Sequence, residues 1–263
     1  MPRLVPVTRE GHSQKRWRRN EGYAFAASES VVPLVATEFS NAAVAMPIAF
    51  IERSERFVPV AVLSLTPGRN LFVGPAGQWL GRYIPASLRA YPFRFARIEG
   101  GNDPVLCIDE DAGLIVDADD QAEQFFAPDG GPSAAIQLVW RLLMELEASR
   151  TRTELAVSAL ASAGVIQPWQ LKINLAGQEK AVTGLYRVDE ATINALDDES
   201  FLKLRKSSAL PLAYLQLLSM GQLAAFEALD RLQQQLASPP LPEAAFSLDE
   251  FFDKAGGETL KFD

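Results

Sequence analysis

The spacing of the apolar residues changes near residue 130, and this change constrains the fold more than any other feature of the chain. Before it, residues 23–127 hold short apolar runs that glycine and proline interrupt, as at 58–65, which a Thr-Pro-Gly turn follows. Short β-branched runs between turn residues are typical of strands. After it, residues 132–237 repeat apolar residues at helical spacing. The pattern predicts an α+β fold, in which a strand-rich N-terminal half packs with a mainly helical C-terminal half.

Three segments of the second half carry the helical spacing. We predict separate helices over 136–146 and 155–163, and a long helix over 210–236 that Gly221 weakens, because glycine is a poor helix former. Residues 176–184 are predicted to form a loop between two strands.

The two ends of the chain differ from its body. Residues 1–22 form a basic polar lead-in, and residues 238–263 form an acidic tail that Pro239, Pro240 and Pro242 separate from the last helix. In that tail, which we expect to be flexible, Ser247 and Glu250 have the spacing of a capping box and predict a short amphipathic helix. Its apolar face must dock, either on its own domain or on a partner, and the sequence leaves both open.

The charge balance excludes several classes of protein. The chain holds 25 basic and 33 acidic residues, and the positive charge is concentrated in the lead-in. An acidic body repels nucleic acid and anionic lipid head groups, so we expect neither as a partner. The apolar runs are shorter than the ~20 residues that cross a bilayer, which predicts no membrane span. The single cysteine, Cys107, cannot form an internal disulfide and is consistent with a reducing, cytoplasmic location.

Few residues suggest catalysis. His12 is the one histidine, which excludes zinc motifs built on two histidines. Asp109 and Glu110 begin an acidic turn after an apolar run, and neither this turn nor the next acidic cluster fits a calcium-binding loop. We therefore predict no metal site and no cofactor, and retain His12, Asp109 and Glu110 only as weak catalytic candidates. The flanking residues of Cys107 predict a buried thiol in a strand.

The densest group of aromatic and polar residues lies between positions 70 and 95. Aromatic rings with arginines beside them are typical of a pocket or an interface, and also of an ordinary β-rich core. We predict binding by seven of these residues, namely Asn70, Phe72, Trp79, Tyr83, Arg89, Tyr91 and Phe93.

The same stretch resembles the SapC family of bacterial proteins, and the resemblance extends over roughly residues 10–235. Gly74 departs from the family pattern, in which an acidic residue is expected at this place. The residues that carry the resemblance are Leu65-x-x-Gly68-x-Asn70-Leu71-Phe72-Val73, Gly77-x-Trp79, Tyr83-Ile84-Pro85-Ala86, Tyr91-Pro92-Phe93 and Leu106-Cys107-Ile108-Asp109-Glu110. It implies a single SapC-like domain over 23–237, strand-rich to 127 and mainly helical from 132.

What the resemblance implies about function is an accessory role in a bacterial pathway that modifies or exports peptides or proteins. The family name comes from a proposed link to surface-layer protein export, and tryptophan-halogenase-like or cupin-like proteins are the implied candidates for partners. The leading hypothesis is therefore a binding protein for a peptide or a partner protein. The alternative is an enzyme of unknown reaction, metal-dependent or working with a flavin-dependent halogenase-like partner.

Overall fold

The protein combines small antiparallel sheets with a helical second half, which confirms the predicted α+β class. A computed structural model describes residues 3–97, 103–117, 119–175 and 178–237. The strands are β1 (Leu4–Pro6), β2 (Arg16–Trp17), β3 (Val31–Pro33), β4 (Ile48–Arg53), β5 (Arg56–Val62), β6 (Phe93–Arg97), β7 (Pro104–Asp109), β8 (Ile115–Val116), β9 (Glu123–Gln124), β10 (Ile166–Pro168), β11 (Leu171–Leu175), β12 (Gln178–Val182) and β13 (Tyr186–Val188). The helices are α1 (Arg9–His12), α2 (Phe39–Ala43), α3 (Ala86–Arg89), α4 (Ala134–Ser162), α5 (Glu190–Asn194), α6 (Asp198–Lys206), α7 (Ala209–Ser219) and α8 (Ala225–Ala237). The acidic tail over 238–263, with its predicted flexibility and amphipathic helix, lies outside the described residues.

The larger core is built on a five-stranded antiparallel sheet with the order β10-β13-β4-β5-β3. Ser54 and Glu55 join β4 to β5, and their positive φ angles of 48° and 62° are those that a type I′ hairpin turn requires. Phe50 and Val60 are fully buried in these two strands. The helices α2 and α7 and the second half of α4 contribute buried apolar residues to this core.

Polar side chains join α7 to the sheet. Gln216 is fully buried, and its Nε2 donates to the carbonyl oxygen of Ile48 at 3.0 Å. Ser219 accepts from the amide of the same residue at 2.9 Å. These bonds satisfy backbone groups of β4 that the ladder leaves unpaired, so α7 is fixed against one strand.

The run over Ala209–Ala237 is long and apolar enough to cross a membrane by length and composition. It comprises α7, a 3₁₀ turn over Met220–Ala224 and α8, and 33% of its most apolar window is buried inside the protein. The interruption contains Gly221, at which the sequence predicts weakness. Core helices pass the same test of length and composition, so the absence of a membrane span stays a prediction.

A second, smaller core lies under the first half of α4. Two three-stranded sheets, β1-β7-β6 and β8-β2-β9, surround it. Its buried members are Trp17, Ala90, Phe93, Leu106, Ile108, Phe125, Ala135, Ile136 and Leu143. Because α4 has 29 residues and therefore extends about 43 Å, a single helix contributes to both cores.

The lead-in contributes strands to the second core. In β1, Val5 lies opposite Ile108, and in β2, Trp17 lies opposite both Ile115 of β8 and Glu123 of β9. The basic residues of this segment therefore surround a buried tryptophan.

Two boundaries predicted from the sequence are wrong. The helices predicted over 136–146 and 155–163 are one helix, α4, because Ser149 and Thr153 between them are buried by hydrogen bonds to the backbone of Thr37 and Ala36. The loop predicted over 176–184 contains β12, which pairs with β11 in a hairpin.

Candidate functional site

A cavity of about 280 Å³ lies between α3 and the first half of α4, and we call it the α3–α4 cavity. Its walls are mainly aromatic and aliphatic, with two arginines and one asparagine. The lining residues are Trp17, Arg19, Asn20 and Tyr23 from the N-terminal segment, Leu88, Arg89, Ala90, Tyr91 and Phe93 from α3 to β6, and Ala135, Leu138, Val139 and Leu142 from α4. An apolar pocket with a few placed polar groups is the usual form of a binding site.

The two arginines of the cavity differ in their pairing. Arg19 donates through Nε and Nη2 to one carboxylate oxygen of Glu123, at 3.0 and 2.8 Å. Arg89 donates through Nε to the carbonyl oxygen of Ile84 at 3.2 Å, and its guanidinium lies 6.0 Å from the ring centroid of Tyr83. Within the described ranges, Arg89 forms no ion pair with a carboxylate. Arg89 therefore reaches the cavity without a direct ion pair, beside the Tyr83 hydroxyl that the Glu38 carboxylate binds.

A buried carboxylate holds the segment that leads into α3. Glu38 is 4% exposed, and its Oε1 accepts from the hydroxyl of Tyr83 at 2.8 Å and from the amide of Ala86 at 2.6 Å. Its Oε2 accepts from the amide of Val35 at 3.1 Å. Burial, and then the neighbouring carboxylate, raise the pKa of Tyr83 above its ordinary value, so this hydroxyl remains a donor at neutral pH. Glu38 thus fixes the position of the segment that leads into α3, the helix that carries Arg89.

Trp79 and Phe72 pack next to this segment. The indole Nε1 of Trp79 donates to the carbonyl oxygen of Tyr83 at 2.8 Å, and its ring stacks on Phe72 with centroids 5.5 Å apart. Asn70 is buried beside them, where its Nδ2 donates to the carbonyl oxygen of Ala26 at 3.0 Å. These three residues therefore support the cavity from within the larger core.

The seven predicted binding residues thus fall into two groups. Arg89, Tyr91 and Phe93 line the α3–α4 cavity. The others, Asn70, Phe72, Trp79 and Tyr83, do not line it, and Asn70 borders a second, more open groove of about 380 Å³. That groove also includes Ala24, Gly77 and Ala237, the last described residue of the chain.

The comparison with known proteins identifies the family. The model of the SapC family matches residues 7–226, which is most of the chain. The chain belongs to the SapC family. No curated protein and no solved structure matches it. The match includes all residues that line the α3–α4 cavity. It ends at residue 226, near the start of α8, so the acidic tail lies beyond the matched residues.

The catalytic candidates of this SapC domain lie away from the α3–α4 cavity. His12 is buried in α1, its Nδ1 accepts from the amide of Thr8 at 3.3 Å, and its Nε2 has no partner among the described residues. Burial lowers the pKa of His12, so the ring is neutral at pH 7. Glu110 forms an ion pair with Arg3 at 3.3 Å. No described hydrogen bond joins His12 to Asp109 or Glu110, although the charge of Glu110 partly opposes the effect of burial on the pKa of His12. The described residues hold no group of three or more His, Cys, Asp or Glu side chains that could bind a metal.

Sequence reasoning missed the residues that face Arg89 across the cavity. Trp17 is 5% exposed, and its indole Nε1 has no acceptor within the described part of the chain. Leu138 is 54% exposed on α4 although its side chain lines the cavity. The sequence offered two signals for these residues. Trp17 is a tryptophan in a basic segment, and Leu138 is an apolar residue next to the buried face of its helix.

Cys107 is buried in β7 at 3% exposure, which confirms the predicted strand burial. Burial raises the pKa of its thiol, so little thiolate is present at pH 7. We expect the folded protein to react with a thiol reagent at least tenfold more slowly than the protein in denaturant. Equal rates in the two states, measured under the same reagent and pH, would contradict this expectation.

Proposed function

We propose that this SapC family member is an accessory binding protein, which takes an apolar side chain of a peptide or of a partner protein into the α3–α4 cavity. The observation that carries the proposal is an apolar cavity bordered by an arginine without an ion-pair partner. The volume of about 280 Å³ is at the lower end of the ~300–1,000 Å³ of pockets for drug-sized ligands, and so favours a single large side chain.

The polar groups of the cavity favour an acidic neighbour of that side chain. A guanidinium binds carboxylates through two donors at once, and Arg89 has donors that no carboxylate occupies. The unpaired indole N–H of Trp17 could donate to a peptide carbonyl once a bound ligand separates the walls, and leaving it unpaired costs about 1–3 kcal/mol. The preferred ligand is thus an aromatic or large aliphatic residue next to Asp, Glu or a terminal carboxylate.

The cavity supports binding more than chemistry. Among the residues that the structure describes, its lining has no histidine, cysteine or carboxylate, and the candidates His12, Asp109 and Glu110 lie elsewhere. The acid–base groups in its lining are the hydroxyls of Tyr23 and Tyr91, and burial raises the pKa of Tyr91, so this hydroxyl stays protonated at neutral pH. The proposed role is therefore that of an accessory protein in a bacterial peptide- or protein-modification or export pathway, acting in the cytoplasm. Tryptophan-halogenase-like and cupin-like proteins are the first partners to test.

The test is a peptide array in which an aromatic or aliphatic residue precedes Asp, Glu, Asn or Lys. The wild-type protein should retain the acidic peptides. Arg89→Ala should weaken their binding about tenfold, because a hydrogen bond to a charged group contributes about 1.5–3 kcal/mol. Arg152→Ala is the matched control, since Arg152 is exposed on the far half of α4 and, among the described residues, bonds to the carbonyl oxygen of Ala148. Retention that does not depend on the acidic residue or on Arg89 would refute the proposal.

A further inference from the structure

We propose that the acidic tail of this chain, over residues 243–254, occupies the α3–α4 cavity and competes with peptides from outside. This inference rests on the proposed function, because it assumes that the cavity takes a large apolar side chain beside a carboxylate. It adds a regulatory role: the protein would hold its own ligand until a stronger one displaces it.

The described chain ends close to the cavity. Ala237 borders the second groove together with Ala24 and Gly77. Tyr23, adjacent to Ala24, lines the α3–α4 cavity, and its amide donates to the carbonyl oxygen of Gly77 at 2.6 Å. The described chain thus ends at a groove whose residues Ala24 and Gly77 adjoin Tyr23 of the cavity.

The length of the tail is sufficient for this path. The five residues Ser-Pro-Pro-Leu-Pro at 238–242 separate the last helix from the segment, and a proline-rich spacer extends about 3.1 Å per residue, or about 15 Å here. That reach exceeds the ~10 Å width of one helix, and the segment over 243–254 adds twelve further residues of chain.

The charges of the two surfaces are complementary. Residues 238–263 hold six acidic side chains and two lysines, whereas the cavity lining holds two arginines and, among described residues, no acidic side chain. Arg19 is already paired with Glu123, which leaves Arg89 for a carboxylate of the tail.

The segment carries the ligand chemistry derived for the cavity. Phe251 and Phe252 stand between Glu250 and Asp253, so a large apolar side chain has a carboxylate on either side. The exposed Leu138 at the cavity is the surface that such a phenylalanine would cover. Because the segment lies beyond the family match at 226, it acts as an addition to the SapC domain rather than as a part of it.

Tethering makes this competition effective. A peptide on a short linker has an effective concentration in the millimolar range, so a segment that binds with a Kd of about 0.1 mM fills its site about nine times in ten. An external peptide of equal affinity then binds about tenfold more weakly than it would to an empty cavity.

The experiment uses the full chain and a fluorescent synthetic peptide with the sequence of residues 243–254, followed by anisotropy. Phe251→Ala with Phe252→Ala in the protein should raise the affinity for this probe about tenfold, because the tethered competitor is lost. Phe262→Ala, which removes a tail phenylalanine outside the segment, should leave the affinity at the wild-type value. An unchanged affinity in the double variant, or no probe binding to it, would overturn the proposal.

A second pair of variants locates the binding site. In the double-variant background, Leu138→Glu should reduce probe binding more than tenfold, since it adds a negative charge at the cavity. Leu155→Glu changes another exposed leucine of the same helix, 65% exposed and outside the cavity, and should have no effect. Probe binding that Leu138→Glu does not weaken would place the tail elsewhere and overturn the inference, while the peptide array would still test the proposed function separately.

Discussion

Replacing Glu38 with alanine is expected to lower the free energy of unfolding by at least about 3 kcal/mol, because three buried donors lose their acceptor and each costs about 1–3 kcal/mol when unpaired. The change leaves the amides of Val35 and Ala86 and the hydroxyl of Tyr83 without their acceptor in a buried place. Urea unfolding should show a lower midpoint with an unchanged slope. Peptide binding should fall as well, because α3 begins at the amide that Glu38 holds.

Two controls separate this effect from the loss of any acidic residue. Glu38→Gln retains one acceptor oxygen and should destabilise the protein by less than Glu38→Ala. Glu154→Ala removes an exposed carboxylate of α4, whose ion pair with Arg150 is long at 3.9 Å, and should change stability by less than about 0.5 kcal/mol. A Glu38→Ala protein as stable as the Glu154→Ala protein would show that the buried network does not stabilise the fold.

Replacing Gln216 with leucine is expected to destabilise the protein by about 2–6 kcal/mol, because two buried backbone groups lose their partners and each unpaired group costs about 1–3 kcal/mol. Its Oε1 accepts from the amide of Val188 at 2.8 Å, and its Nε2 donates to the carbonyl oxygen of Ile48 at 3.0 Å. Gln216 thus bridges β13 and β4, whose ladder pairs only Tyr186 with Phe50 among described residues. The loss should appear in thermal unfolding as a lower Tm.

Gln137→Leu is the matched control for this substitution. Gln137 is exposed on α4 and donates a single bond to the carbonyl oxygen of Pro132 at 3.0 Å. Its replacement should change stability by less than about 0.5 kcal/mol, as for most surface positions. If Gln216→Leu were equally mild, hydration or repacking would have to satisfy the two backbone groups.

The elements that the sequence predicts well are those whose pattern is local. The apolar run over 58–65 depends on neighbouring residues alone, and most of it lies in the strand β5. The break predicted inside α4 failed for a different reason. Ser149 and Thr153 look like a polar interruption, yet they are buried because the backbone of Ala36 and Thr37 bonds to them from another part of the chain.

The candidate site also combines residues that a local pattern predicts with residues that only distant contacts bring together. Arg89, Tyr91 and Phe93 stand in a conspicuous cluster of aromatic residues and line the cavity. Trp17 and Leu138 come from segments far away in the sequence, and strand pairing and helix packing, which no local pattern records, bring them there. Glu38 is a single acid within an apolar stretch that fits the SapC pattern, and no local pattern predicts its burial or its partners.

The position of β2 also affects how the protein is made. Trp17 leaves the ribosome before its partner Glu123 on β9, which follows more than a hundred residues later. At a synthesis rate of about 5–20 residues per second, β9 is made at least several seconds after β2. The cavity wall is therefore completed only after α4 has emerged, and until then a tryptophan between arginines is open to chaperones.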